Sequence, residues 1–254
     1  MIHFNLEKGE SVYTQTSSMF FKSSNVSMKT VSIGNIAEGV SNAITGDTIF
    51  VTEYSPLNGN GEVTFTGELP GEMITVNIDK SREMIIQKNA FLCASKEINL
   101  DMEVSKKLSA DLINREGFIL QRISGQGTAF LVANGNTILR TLEHGETLDV
   151  SPGNIVGFDS TVKFSIDLIP GIKNMLFGEE GYFFIQLTGP GKVILQTQNF
   201  TDLVEHVGKI LATKSGSKIE DGDGNLGAEL VEKSLNTAVT KVTESSVVKL
   251  LSRF

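Results

Sequence analysis

Three Gly-x-Gly segments recur at near-equal intervals, and they restrict most strongly what this 254-residue chain can fold into. Their first glycines lie 66 and 64 residues apart, and each segment stands between two apolar runs of strand length. Glycine supplies the backbone conformations that tight turns between strands demand. We therefore predict a strand, a turn and a strand at each place, with the turns at Gly59-Asn60-Gly61, Gly125-Gln126-Gly127 and Gly189-Pro190-Gly191.

A Gly-x-Gly segment can also begin a nucleotide-binding loop, in which a helix follows and its N-terminus faces the phosphates. Here strand-like segments follow instead, as in Glu62-Val63-Thr64-Phe65 and Lys192-Val193-Ile194-Leu195. The sequence therefore favours structural turns over a nucleotide site, and no cofactor is expected.

A second repeat has the same period. Residues 9–28 align without a gap with residues 145–164, and both segments open on Gly-Glu. Residues 10–28 also align with residues 82–100 at an offset of 72, which places Phe20 on Leu92. Self-similarity at a fixed spacing indicates a repeated structural unit. We predict three related units over about 1–66, 67–132 and 133–199.

Apolar and polar residues alternate at the ends of these aligned segments. Ile98, Leu100 and Met102 alternate with polar residues, and residues 162–168 follow the same period of two. This period is typical of a strand with one solvent-facing side. The sequence thus predicts an all-β fold in which closed or stacked sheets hide the strand edges.

The last quarter of the chain has a different composition. A short helix is predicted from Thr201, and a polar, glycine-rich linker follows between residues 214 and 225. Apolar spacing after Leu226 permits an amphipathic helix. Residues 200–254 are therefore predicted to be a helical or flexible extension.

Charge and composition bear on partners and location. The net charge is −8, and no basic cluster is denser than Lys106-Lys107, so nucleic acid is a disfavoured partner. The single cysteine, Cys93, excludes an internal disulfide and fits a reducing compartment. We find no secretory signal and no apolar run long enough to span a membrane. A cytoplasmic protein, at most peripheral to a membrane, is expected.

No catalytic or metal-binding motif is evident. The three histidines, His3, His144 and His206, lie in separate contexts, whereas a metal enzyme needs a compact His and carboxylate set. Asp221-x-Asp223-x-Asn225 imitates a calcium loop, but Leu226 occupies the position that requires glycine. We expect no catalytic residues, no metal and no enzyme activity.

One apolar loop is the candidate contact region. The segment between the strand around residues 162–168 and the next apolar run carries Ile172, Lys173, Met175, Leu176 and Phe177. These side chains either cap the end of the β core or form an exposed apolar tip that contacts a partner, a second subunit or a membrane surface.

Several of these segments together resemble one known family. They are Gly125-x-Gly127 with Ala129-Phe130-Leu131, Leu142-x-x-Gly145-Glu146, Phe177-Gly178-x-x-Gly181, and Gly189-Pro190-Gly191-x-Val193-x-Leu195-Gln196-Thr197. They look like the AIM24 family over about residues 1–200. The resemblance implies a fold like the tryptophan RNA-binding attenuator protein, a double-stranded β-helix type of β-sandwich, in three repeats. It carries over no catalytic residue, and it links mitochondrial members to inner-membrane organisation.

The leading functional hypothesis is a non-catalytic, self-associating scaffold or binding module that forms a homo-oligomer, and the family resemblance links it to membrane organisation. Two alternatives stay open. One is RNA binding by analogy with the attenuator fold, which the net charge opposes and which fold alone does not transfer. The other is a small-molecule-binding or metal-dependent protein that uses the β core.

Overall fold

The computed structural model describes residues 1–15, 18–33, 49–103, 119–168 and 183–199, together with 202–203, 206–208 and 210. Over these residues the chain forms eighteen β-strands in several sheets, so the predicted all-β fold is confirmed. The first six strands are β1 (Ile2–Leu6), β2 (Val12–Thr14), β3 (Met19–Lys22), β4 (Val26–Ile33), β5 (Ile49–Pro56) and β6 (Gly61–Phe65).

The remaining strands follow in two further sets of six. The second set is β7 (Gly71–Ile78), β8 (Met84–Gln87), β9 (Phe91–Ser95), β10 (Ile98–Met102), β11 (Leu120–Gly125) and β12 (Gly127–Asn134). The third set is β13 (Thr137–Leu142), β14 (Thr147–Val150), β15 (Ile155–Asp159), β16 (Lys163–Leu168), β17 (Phe183–Thr188) and β18 (Gly191–Gln196). Short 3₁₀ helices, Lys88–Ala90 and Pro152–Asn154, precede β9 and β15.

Each set of six strands, called a unit below, has the same order of pairing. The first and third strands pair with the sixth, and the second and fourth strands pair with the fifth. The pairings with a described register are antiparallel. The second unit extends through Asn134, because β12 continues two residues past the predicted boundary at residue 132.

The units join through their sheets. Sheet I has the strand order β1-β6-β3, sheet II β4-β5-β2-β9-β12-β7, sheet III β10-β11-β8-β15-β18-β13 and sheet IV β14-β17-β16. Sheet II therefore combines half of the first unit with half of the second, through the pairing of β2 with β9. Sheet III combines the second and third units in the same way, through β8 and β15.

Apolar side chains fill three cores, each between two of these sheets. Leu6 and Phe65 of sheet I pack with Tyr54 and Leu92 of sheet II. The second core lies between sheets II and III, and the third lies between sheets III and IV. Sheets II and III thus bury both faces, which explains why β8 and β9 are continuous apolar runs without alternation.

Little of the predicted extension at residues 200–254 falls within the described part of the chain. Residues 202–203, 206–208 and 210 are helical, and the rest of the segment lies outside the described residues.

Candidate interaction surface at two sheet edges

The candidate contact loop that the sequence predicts, with Ile172, Lys173, Met175, Leu176 and Phe177, lies outside the described residues. The six glycines that are predicted to form turns are all described. Gly59 lies in the connection between β5 and β6, Gly61, Gly127 and Gly191 begin β6, β12 and β18, Gly125 ends β11, and Gly189 follows β17.

These glycines serve two physical purposes rather than the single one expected from the sequence. Gly59 and Gly125 have positive φ angles of 63° and 104°, which L side chains rarely adopt. Gly61 and Gly189 do not have positive φ angles. A Cβ atom at Gly61 would lie 2.5 Å from Cγ2 of Val26, and one at Gly189 would collide with the backbone of Glu143. At these two positions close packing, not φ, requires glycine.

The three histidines have different surroundings. The ring of His3 contacts the hydroxyl of Thr64 through Nδ1 at 2.8 Å and the side-chain oxygen of Asn5 through Nε2 at 3.3 Å. His144 and His206 are exposed. Within the described ranges there is no group of three or more His, Cys, Asp or Glu side chains placed to hold a metal ion.

The side chains of Cys93, Tyr13 and Arg122 are either buried or paired with neighbouring residues. Cys93 is fully buried, and burial raises the pKa of its thiol, so the nucleophilic thiolate is disfavoured. Burial also raises the pKa of Tyr13, whose hydroxyl donates a hydrogen bond to the carbonyl of Ile98. The guanidinium of Arg122 binds the carboxylates of Glu83 and Glu103, each at 2.9 Å. The two ion pairs of Arg122 connect β11 with the residue before β8 and the residue after β10.

The edge of β3 is the most unusual surface of the described chain. The third strands of the other two units have a strand on each side, since β9 lies between β12 and β2, and β15 lies between β18 and β8. Among the described strands, by contrast, β3 pairs only with β6 and ends sheet I. Its free side is called the β3 edge below.

Side-chain exposure follows this difference in pairing. Phe20 is 63% exposed and Phe21 is 44% exposed. At the aligned positions of the second unit, Leu92 is 2% exposed and Cys93 is fully buried. Each third strand also carries a register shift at the Phe20 position, and the corresponding Val156 of the third unit is fully buried. Leu92 is buried in the core with sheet I and Val156 in the core with sheet II, so an apolar site that the other two units bury is uncovered on β3.

Two more apolar side chains of the first unit are exposed. Met28 on β4 is 51% exposed and Phe50 on β5 is 66% exposed. Leu100, which aligns with Met28, is fully buried in the core that the second unit shares with Ile49 and Val51 of the first unit. Among the described residues, no unit covers Met28 in this way.

The second free side lies at the other end of the series of sheets. In the first two units the second strand pairs with the next unit, as β2 does with β9 and β8 with β15. Its counterpart β14 pairs only with β17 within the described part of the chain, and it ends sheet IV. Along this β14 edge, Thr147 and Asp149 are exposed, and Asp149 accepts a hydrogen bond of 3.1 Å from Nε2 of Gln186.

A comparison with protein families covers the region that contains all the described strands. The family model described as "Mitochondrial biogenesis AIM24" matches residues 1–198. The chain belongs to the AIM24 family. An uncharacterized protein of Streptococcus pyogenes serotype M6 is 22% identical over 222 residues, which is 85% of this chain and 88% of that protein.

A crystal structure supports the same fold for this AIM24-family chain. It is that of a Streptococcus pyogenes protein determined in a structural genomics project, with a TM-score of 0.63 and 19% sequence identity. The match covers 82% of this chain and 93% of the other chain. Among the described residues, no helix has the length and hydropathy that a membrane-spanning segment needs.

Sequence reasoning missed the two sheet edges. The alignment of Phe20 with Leu92 was visible, but it predicts a buried position, because the alignment holds no information on which strand lies beside β3. The signal available in the sequence was the order of the three units, since the second unit has a described neighbour on both sides and the first and third units have one each.

Proposed function

We propose that this AIM24-family chain is a non-catalytic, self-associating scaffold protein. The observation that carries the proposal is the exposure of Phe20 and Phe21 at a position that the second and third units bury. An exposed apolar patch on a free strand edge is a typical site of protein association. Met28 and Phe50 enlarge the apolar surface of the same unit.

The chemistry of the described residues supports a binding role. Cys93 is buried as a protonated thiol, and Tyr13 and Arg122 are engaged in contacts that stabilise the fold. Scaffolding at a membrane surface, as the resemblance to the family implies, is a finer form of the same proposal. It would require the assembled protein, rather than the single chain, to contact lipid.

The test is the molar mass of the purified full chain as a function of concentration, by size-exclusion chromatography with light scattering. We expect the mass to rise above that of one 27.5 kDa chain as the concentration increases. The Phe20→Ser variant should weaken the association roughly tenfold or more, since it removes an apolar side chain that the interface would bury.

The matched control is Leu57→Ser, which removes a similarly exposed apolar side chain (70%) between β5 and β6. This variant should associate like the original protein, and circular dichroism should show that both variants are folded. A chain that stays monomeric at every concentration would contradict the proposed function. Flotation with lipid vesicles then tests the membrane form separately.

A further inference from the structure

We infer that the β14 edge of one copy of this chain pairs with the β3 edge of a second copy. Sheets IV and I would then join as one antiparallel, six-stranded sheet. This inference rests on the proposed function, because it names the partner and the register of the self-association.

The chain already contains the inferred junction twice. The antiparallel pairs β2–β9 and β8–β15 each join the second strand of one unit to the third strand of the next unit. A pairing of β14 with β3 would give the strand order β16-β17-β14-β3-β6-β1. Sheets II and III have this same arrangement of fourth, fifth, second, third, sixth and first strands. The chain therefore forms this junction twice internally, and the β14 edge and the β3 edge are the two kinds of strand edge from which the junction is made.

The internal junctions fix the register on the β14 side. In sheet II, Tyr13 lies opposite Ala94, and in sheet III, Ile85 lies opposite Phe158. Asp149 occupies the place of Tyr13 in the third unit, because each lies four residues after the glycine of a Gly-Glu pair.

The register on the β3 side follows from the sixth strands. Ala94 and Phe158 pair with Ala129 and Val193, and each of these is the second residue after a Gly-x-Gly turn. In the first unit the second residue after this turn is Val63, and its partner on β3 is Lys22. The inferred junction thus places Asp149 of one copy directly opposite Lys22 of the other.

Charge complementarity favours this pairing. At the two internal junctions the opposed residues are apolar and buried, whereas at the two free edges they are an acid and a base. Opposite charges directly across a strand pair are stabilising, and like charges are destabilising. Charged residues on a free edge also suppress pairing in other registers and with other strands. The edges are therefore suited to each other rather than to a copy of themselves.

The same register accounts for the exposed aromatic residues. In sheet III, Ile86 lies opposite Gly157, and the aligned residues of the free edges are Val150 and Phe21. Phe21 would therefore lie beside Val150 of the second copy, and the neighbouring Phe20 would be covered as Leu92 is. Because the two edges are different surfaces, the contact is head-to-tail and leaves one free edge at each end, so it can continue into rings or longer assemblies.

Charge reversal tests the register in the full chain. Asp149→Lys and Lys22→Glu should each weaken self-association roughly tenfold or more, because each places like charges opposite one another. An equimolar mixture of the two variants, and the double variant, should associate like the original protein. Lys80→Glu and Glu97→Lys make the same charge changes at exposed turn positions and should have no effect. If the original chain associates but edge reversal does not weaken it, the inferred junction is wrong while the proposed function stands.

Cysteine cross-linking identifies the partner. A chain with both Lys22→Cys and Asp149→Cys should form an intermolecular disulfide ladder on mild oxidation. The native Cys93 is buried and should not interfere. Lys22→Cys with Val150→Cys is the matched control, because a shift of one residue points the two side chains to opposite faces. A disulfide formed only within one chain would overturn the assignment to a second copy.

Discussion

The hydroxyl of Tyr13 on β2 donates a hydrogen bond of 2.9 Å to the carbonyl oxygen of Ile98 on β10. This contact crosses the core between sheets II and III and connects the first unit to the second. The ring of Tyr13 also stacks on Phe91, with centroids 5.7 Å apart. A single side chain therefore contributes both apolar packing and a buried polar contact to the connection between units.

Tyr13→Phe separates these two contributions, because it keeps the ring and removes only the hydroxyl. We expect the free energy of unfolding to fall by about 1–2 kcal/mol, since the substitution leaves a buried carbonyl without this donor. Urea denaturation measures the change. Tyr13→Leu, which also removes the stacked ring, should cost more, and equal stability of Tyr13→Phe and the original protein would show that the hydrogen bond contributes nothing.

Cys93 should make the stability of the protein depend on alkaline pH. Burial raises the pKa of the thiol above its ordinary value of 9.0, so the thiol is protonated in the folded chain where it ionises in the unfolded chain. The contribution of this thiol to the free energy of unfolding is therefore complete below pH 9. It decreases as the pH rises above 9, by at most about 1.4 kcal/mol per pH unit.

Urea denaturation between pH 7 and pH 10 tests this dependence. Cys93→Ala should have a lower stability at pH 7, because it leaves a small cavity, but a flatter decline between pH 9 and pH 10. A thiol reagent should react with the original protein only after unfolding. Rapid reaction with the folded protein would contradict the buried position of the thiol.

Gly157 on β15 should tolerate no side chain. A Cβ atom there would lie 2.8 Å from Cγ2 of Ile86 and 2.9 Å from the carbonyl oxygen of Ile85, both on the neighbouring β8. Because a paired backbone cannot move away easily, Gly157→Ala should destabilise the fold by about 1–3 kcal/mol, and Gly157→Val should destabilise it further.

Gly9→Ala is the comparison for this prediction. Gly9 has a φ of 97°, but a Cβ atom there would meet nothing within 4 Å. Its cost should be confined to the backbone conformation, about 1 kcal/mol. Thermal melting of the three variants measures the order, and an unaffected Gly157→Val protein would show that β8 and β15 are not so closely paired.

The sequence predicted local structure better than it predicted pairing. Alternation at residues 98–102 and the Gly-x-Gly segments indicated strands and turns, because both depend on neighbouring residues in the chain. The apolar run of Met84, Ile85 and Ile86 has no period, since both faces of β8 are buried between two cores. The pairing of β2 with β9 joins residues 81 and 83 positions apart, and neither strand carries a sequence signal that identifies the other as its partner.

The candidate surface shows the same limit. Phe20 and Leu92 occupy aligned positions and have similar chemistry, yet one is mostly exposed and the other is buried. Leu92 is buried in the core that sheet II shares with sheet I, whereas no described sheet packs over Phe20 in this way. Sequence similarity between repeats therefore predicts an apolar residue at this position of each unit, but it does not predict in which units that residue is buried.

The boundaries between repeats in the sequence do not coincide with the boundaries between sheets, and the two differ by half a unit. Sheets II and III each take three strands from one unit and three from the next, so cutting the chain at a repeat boundary would divide a sheet rather than separate two domains. A single repeat is thus not a unit that folds on its own. The number of repeats, however, can change without altering any junction, because every added unit brings one edge of each kind. Such a chain can lengthen during evolution by duplication while each intermediate keeps the same two terminal edges.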